Sequence, residues 1–200
     1  MKEVVVTRCP WGGDGLMMRY HDEEWGVPVH DDNKHFEFLL LEMFQAGLSW
    51  LTVLRKREAF RKAFAGFDPY LVNKFDSADT KRLLADAGII RNRLKIAGAI
   101  NNTARFLEVQ KEFGSFDRYI WDFVSGRPLV NAWKDLSQIP ARTELSDRIS
   151  TDLKKRGFKF MGSTIVYAHL QATGLVNDHI TGCFRYGETG RKSGNPASKK

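Results

Sequence analysis

Apolar residues recur every three or four positions along most of this chain, the period of an amphipathic helix rather than of a strand. From Lys34 to Ala46 the residues Phe36, Leu39, Leu40, Met43 and Phe44 follow that spacing, with Asp31 or Asp32 as N-cap and Gly47 as the stop. Ser49 is placed to cap a second helix, Trp50 to Ala65, carrying Val53, Leu54, Phe60 and Phe64. Asp68-Pro69 is a cap followed by proline at the first helical position, where the missing N–H is not needed. Ser77 caps a helix through Leu83, Leu84 and Ala87 that Gly88 interrupts, and another runs from about Arg91 through Ile96, Ile100, Ala104 and Leu107. Ser115 to Val124 reads as a short aromatic helix. Thr143 or Ser146 opens one with Leu145, Ile149 and Leu153, stopped by Gly157. Ser163 or Thr164 opens the last long one, through Val166 and Leu170 to Gly174. Period-two alternation is nearly absent, and residues 9–30 and 126–142 read as irregular. The predicted fold is all-α, a single helical domain over 1–186 built as two lobes. Residues Gly187 to Lys200 are too polar to bury surface and read as a disordered basic tail.

Composition narrows the class. No stretch approaches the roughly 18 uninterrupted apolar residues of a membrane span. The start, Met1 to Arg8, is too short an apolar run for a secretory leader, so a soluble cytoplasmic protein is expected. A net charge of +7 points towards a polyanionic partner.

The two cysteines, Cys9 and Cys183, lie at opposite ends of the chain. An intracellular setting disfavours a disulfide between them. His21 follows Cys9, and His179 precedes Cys183 at the i,i+4 spacing that one helical turn would place on one face. Two thiolates and two imidazoles are the closed donor set that structural zinc prefers. Spacing alone leaves two readings open: zinc, or two buried thiols beside incidental histidines. His30, His35 and His169 have no such partners and read as ordinary surface or core residues, and Trp121 and Trp133 as core.

Leu83 to Ile96 reads as helix, tight turn, helix. Gly88 allows the turn, Ile89 and Ile90 plug the groove between helices, and Arg91 and Arg93 open the second helix. A helix N-terminus with basic residues suits a phosphate, and such a contact positions a protein on DNA without reading sequence. The alternative is a plain hairpin with solvated arginines. Gly47 and Leu48, between Glu42 and Trp50, form a second turn able to approach a duplex, or equally a helix stop followed by a core leucine.

Three stretches are specific. They are Tyr20-His21-Asp22-Glu23-Glu24-Trp25-Gly26-Val27-Pro28, then Glu42-Met43-Phe44-Gln45-Ala46-Gly47-Leu48-Ser49-Trp50-Leu51-Thr52-Val53-Leu54, and Lys154-Lys155-Arg156-Gly157-Phe158-Lys159-Phe160-Met161-Gly162-Ser163-Thr164. With residues 86–91 and 174–179 they resemble the type I 3-methyladenine DNA glycosylases, from about Arg8 to Cys183. The resemblance implies a helix–hairpin–helix glycosylase fold with one structural zinc on Cys9, His21, His179 and Cys183, joining the two ends of the chain. It also implies a base pocket of Glu42 with Trp11, Tyr20, Trp25 and Trp50, Glu42 doubling as the catalytic candidate. The chemistry fits: methylation at N3 makes adenine cationic and weakens its glycosidic bond, and Trp and Tyr faces attract a cationic ring by about 0.5–2 kcal/mol each. The partner so implied is double-stranded DNA with alkylated bases, and the expected enzyme is a monomer that uses water rather than a lysine as nucleophile.

Two departures stand out. The family usually carries Tyr where this chain has Met17, and the common helix–hairpin–helix turn carries two glycines where the second position here is Ile90. The rival readings are a non-catalytic zinc-containing DNA-binding module and a zinc-dependent hydrolase of another substrate.

Overall fold

A computed structural model of the chain describes residues 6–13 and 15–189. Among them, α1 (Gly15–Glu23), α2 (Asp32–Gln45), α3 (Trp50–Ala63), α4 (Pro69–Val72) and α5 (Ser77–Ala85) form the first half of the fold. They are followed by α6 (Arg93–Phe113), α7 (Phe116–Asp122), α8 (Glu144–Lys155), α9 (Ser163–Ala172) and α10 (Tyr186–Thr189). Two short strands, β1 (Leu129–Val130) and β2 (Val176–Asn177), pair in parallel with Leu129 opposite Val176.

Helix α2 is the axis of the molecule. Every residue from His35 to Phe44 is buried, so α2 has neighbours on all sides, as a fully enclosed helix must. Phe36, Leu40, Met43 and Phe44 face the main core with Phe60, Phe106, Phe116 and Leu170. Phe38, on the other side, joins a smaller cluster of Tyr20, Trp25, Cys9 and Cys183, against which Trp11 and Trp50 pack. That second cluster joins the segment around Cys9 to the segment around Cys183.

Local signals set most boundaries. Asp31 caps α2, Ser49 caps α3 by accepting from Thr52 N–H, and Asp68 caps α4 ahead of Pro69. Ser115 caps α7, and Thr143 and Ser146 exchange hydrogen bonds as a capping box at α8. Several expectations change. Asp76, not Ser77, caps α5, because Asp76 and Asp79 complete a capping box one residue earlier. Gly162 caps α9 with no side-chain bond, rather than Ser163 or Thr164. Residues 9–30 are not irregular throughout, since α1 occupies their middle. Residues 126–142 hold β1 and a 3-10 turn, Leu136–Gln138. Gly187 to Thr189, read as the start of a tail, close α10. The rest of that tail, 190–200, and the leader reading at 1–5 lie outside the described residues.

Between α5 and α6 the chain turns through Asp86 to Asn92, and Asn92 caps α6 by accepting from Lys95 N–H. Gly88 is not in a left-handed conformation. Its lack of a side chain serves close packing instead, since a Cβ there would lie 3.0 Å from the Ala59 methyl and 2.9 Å from Asp86 Oδ1. Gly174 is more constrained. It ends the α9 segment at φ +71°, and a Cβ would fall 2.4 Å from Pro28 N. No helix among the described residues is long and apolar enough to cross a membrane.

Candidate functional site

Between α1, α2, α3 and α9 lies a cavity of about 430 Å³. Trp11 reaches it from a 3-10 turn (Pro10–Gly12), Tyr20 and Met17 from one face of α1, and Trp25 from just beyond that helix. Glu42 and Gln45 enter from the last turns of α2, Trp50 from the first position of α3, and Gln171 from α9. All five residues expected from the sequence therefore line one cavity, and so does Met17. Gln45, Gln171, Leu136 and Ile139 were not anticipated.

The walls are aromatic and mutually braced. Trp11 meets Trp25 edge-on, centroids 4.8 Å apart and planes at 80°. Tyr20 lies 5.2 Å from Trp50 and 6.2 Å from Trp11, tilted at about 50° to each. Edge-on and tilted pairs match ring quadrupoles and fix ring orientation. The buried Trp50 Nε1–H has no protein partner among the described residues, a donor left for whatever occupies the cavity.

Glu42 is the anomalous wall. Its residue is 4% exposed. Among the described residues no cation or hydrogen bond opposes its burial, which pushes its carboxyl up to about 8. The neighbouring Tyr20 hydroxyl is raised as well, by its own burial first and then by the Glu42 and Glu24 charges. The other acid of α2 is treated differently. Glu37 accepts from Arg57 Nε at 2.7 Å and Arg61 at 2.8 Å, while Arg57 grips Glu24 with both terminal nitrogens at 2.8 Å. One buried helix thus carries a neutralised acid for structure and an uncompensated one facing a cavity.

Cys9, His21, His179 and Cys183 are all buried, with their ligand atoms within 4.8 Å of one another. Cys183 Sγ lies 3.4 Å from His21 Nε2 and 3.6 Å from His179 Nδ1, and Cys9 Sγ is 3.6 Å from the same Nδ1. Tetrahedral zinc, with Zn–S about 2.3 Å and Zn–N about 2.0–2.1 Å, sets sulfur and nitrogen about 3.5 Å apart. The far nitrogen of each ring is oriented too. His21 Nδ1 faces Asp22 Oδ1 at 2.8 Å, and Arg8 holds that carboxylate at 2.8–3.0 Å. His179 Nε2 donates to the Trp25 carbonyl at 3.0 Å. Each imidazole therefore gives its N–H away from the cluster and turns a lone pair inward, as metal-ligating histidines do. The donor set fits zinc. The i,i+4 pair does not sit on a helix, however: His179 follows β2, and a turn closed by Cys183 N–H to Ile180 O brings Cys183 back.

The expected duplex-facing residues divide. Gly47 sits at φ +81° and Leu48 is 41% exposed, so this turn does stand at the surface. Arg91 and Arg93 are exposed. Ile89 is not: it is buried in the main core, and its side chain plugs the groove rather than facing solvent. Lys95 was missed. It is buried, and its ammonium donates to the Phe44 and Ala46 carbonyls at 2.9 and 2.6 Å, closing the end of α2 beside the Gly47 turn. His35 and His169 are core residues as expected. Trp121 is buried, and Trp133 is only partly so.

The chain is similar in sequence and fold to proteins of known activity. The methyladenine glycosylase family profile matches residues 11–186. DNA-3-methyladenine glycosylase 1 of Escherichia coli K12 is 49% identical over 182 residues, covering 90% of this chain and 97% of that protein. The DNA-3-methyladenine glycosylase of Haemophilus influenzae is 44% identical over 180 residues, with the same coverage of 90% and 97%. A single-residue variant of 3-methyladenine DNA glycosylase I, solved in complex with 3-methyladenine, superposes with a TM-score of 0.87 at 33% identity, over 92% of this chain and 98% of that one. A profile spanning nearly the whole chain, with identity this high along it, leaves one assignment: the chain belongs to the methyladenine glycosylase family.

Proposed function

We propose that this protein is a monofunctional DNA glycosylase that hydrolyses the N-glycosidic bond of 3-methyladenine in alkylated double-stranded DNA. The observation that carries the reading is Glu42, a buried carboxyl with no hydrogen-bond partner among the described residues, facing a cavity walled by Trp11, Tyr20, Trp25 and Trp50. A flipped base is read by stacking and by hydrogen bonds to its edge, and a cationic one gains additionally from ring faces and from a carboxylate. Neutral adenine lacks both gains.

Glu42 acts first in recognition. A cation entering the cavity offsets the desolvation that keeps its pKa high, so the carboxyl ionises and pairs with the base. In the reaction, water adds at C1′ of the deoxyribose, the bond to N9 breaks, and its electron pair stays on the departing base. That base leaves as neutral 3-methyladenine, an abasic site remains, and the proton from water is lost to Glu42 or to solvent. The methyl group has already made the base a good leaving group, so little further activation is needed. Among the described residues no lysine lines the cavity, which supports water rather than an imine-forming amine.

Cys9, His21, His179 and Cys183 would hold a zinc ion. Four protein ligands leave it no open position, so the chemistry it supplies is structural: it ties the Trp11 turn and α1 to the C-terminal segment. The α5–α6 turn is the helix–hairpin–helix element. There Arg91 and Arg93 meet backbone phosphates, while Gly47 and Leu48 enter the space the base has left. The enzyme works as a cytoplasmic monomer in base excision repair.

The test is to incubate alkylated duplex DNA with the wild type and with Glu42→Ala and identify the released bases. Release of 3-methyladenine by the wild type, reduced at least tenfold in the variant, is expected. No release by the wild type would remove the reading.

A further inference from the structure

Asp178 is fully buried, and four donors occupy it. It accepts from Asn131 Nδ2 and Trp133 Nε1, each at 2.7 Å, from Gln171 Nε2 at 2.8 Å, and from the Tyr167 hydroxyl. A carboxylate so surrounded has neither exposure nor a spare lone pair with which to act on a ligand. Three of its partners brace the chain after β1 against α9. The fourth, Gln171, also lines the cavity.

This matters because an amide has two ends of nearly equal size and opposite hydrogen-bonding character. Opposite a carboxylate only one sense is stable, since an amide oxygen there would set acceptor against acceptor. Asp178 therefore holds the nitrogen of Gln171 and leaves its carbonyl oxygen turned away. Gln45 shows the same bias, its Nε2 donating to the Leu48 carbonyl at 3.3 Å. With Glu42, the non-aromatic polar side chains of the cavity wall then offer acceptors.

We propose that Gln171 is a specificity-determining residue, whose Oε1, fixed in sense by Asp178, accepts from the exocyclic amino group of an adenine-type base. Adenine carries an amino donor at C6, where guanine carries a carbonyl acceptor. A C6 carbonyl at this position meets an acceptor with no proton between them, and a site built to hydrogen-bond one group rejects the analogue that cannot answer it. The selection is between methylated purines. It is separate from the preference for charge that Glu42 and the aromatic walls provide, and it rests on the cavity being the base pocket.

Gln171→Met keeps the chain length and removes the acceptor. Duplex DNA carrying both 3-methyladenine and 3-methylguanine is incubated with each protein, and the released bases are quantified by chromatography beside a melting curve. The ratio of adenine to guanine product is expected to fall at least tenfold in the variant. An equal loss of both products, at unchanged ratio, would show that Gln171 only packs. A second arm needs no variant. Quenching of tryptophan fluorescence should show 3-methylhypoxanthine, with its C6 carbonyl, binding the wild type at least tenfold more weakly than 3-methyladenine, and equal binding overturns the assignment. A wild type that releases no methylated base removes the glycosylase reading and this one with it, whereas an unchanged ratio in an active enzyme removes Gln171 alone.

Discussion

The His179 imidazole meets the Trp25 indole edge-on, ring centroids 4.6 Å apart and planes at 81°, while its Nε2 donates to the carbonyl of that same tryptophan at 3.0 Å. The His21 ring meets the Trp11 indole edge-on as well, at 5.1 Å and 66°. Two walls of the cavity therefore rest directly on the rings of the Cys2His2 cluster, so the cluster sets where the indoles stand.

Loss of a cluster ligand should accordingly reach the cavity. Cys183→Ser is expected to lower zinc content below one per chain and to lower the melting temperature by about 10 °C or more, because metal binding adds to folding free energy. It should also weaken binding of 3-methyladenine, although Cys183 does not line the cavity. Elemental analysis, calorimetry and fluorescence quenching check the three effects. Full zinc in the variant would remove the ligand assignment.

Glu42 makes stability depend on pH. Its folded pKa of about 8 lies above the ordinary 4.5, so the folded chain holds a proton that the unfolded chain has lost between those values. The stabilisation is whole below about pH 4.5 and is lost as pH rises through 8. Glu42→Gln has no proton to lose, so its melting temperature relative to wild type should climb from pH 5 to pH 9. Parallel curves across that range would contradict the burial argument.

The Glu37 network is structural. Burial alone would raise this carboxyl, but the Arg57 charge and hydrogen bond, with Lys34 and Arg61, hold it below its ordinary value. Glu37→Ala removes one of the two carboxylates that hold Arg57, leaving Glu24 on its terminal nitrogens, and should cost about 1–3 kcal/mol in denaturant unfolding.

Gly174→Ala should cost at least as much. The new methyl would meet the Val27–Pro28 backbone at 2.4 Å, in a left-handed conformation that alanine disfavours, and backbone cannot swing aside as a side chain can. A melting temperature within a few degrees of wild type would contradict this packing.

What was legible in the sequence follows from the range of each interaction. Asp31, Ser49, Asp68, Ser115 and Thr143 each announce a helix through a bond three or so residues away, so α2, α3, α4, α7 and α8 were readable locally. Helix α1 was not, because its hold on the fold comes from Tyr20 and His21 meeting residues far along the chain. Strands of two residues are too short to show alternation. Residue type and spacing singled out the four cluster residues but left zinc and incidental burial both open, and the family resemblance chose zinc and supplied the pocket set; the i,i+4 pair even suggested a helix where a turn does the work. Gln171 was invisible because its role depends on Asp178, seven residues away through a turn and a strand. The pattern that could have found it is Tyr167 and Gln171, one helical turn apart, flanking a charge buried between Leu175-Val176 and Ile180.

The most direct test is the cavity's preference for positive charge. 3,9-Dimethyladeninium is a cation around neutral pH, and 9-methyladenine is its neutral counterpart. Calorimetric titration of the wild type at pH 8 should show the cation binding at least tenfold more tightly, with its affinity rising as pH approaches 8 from below and levelling once Glu42 is ionised. Equal affinities, or a cation preference that survives unchanged in Glu42→Gln, would contradict recognition of a charged base by this carboxyl and its aromatic walls.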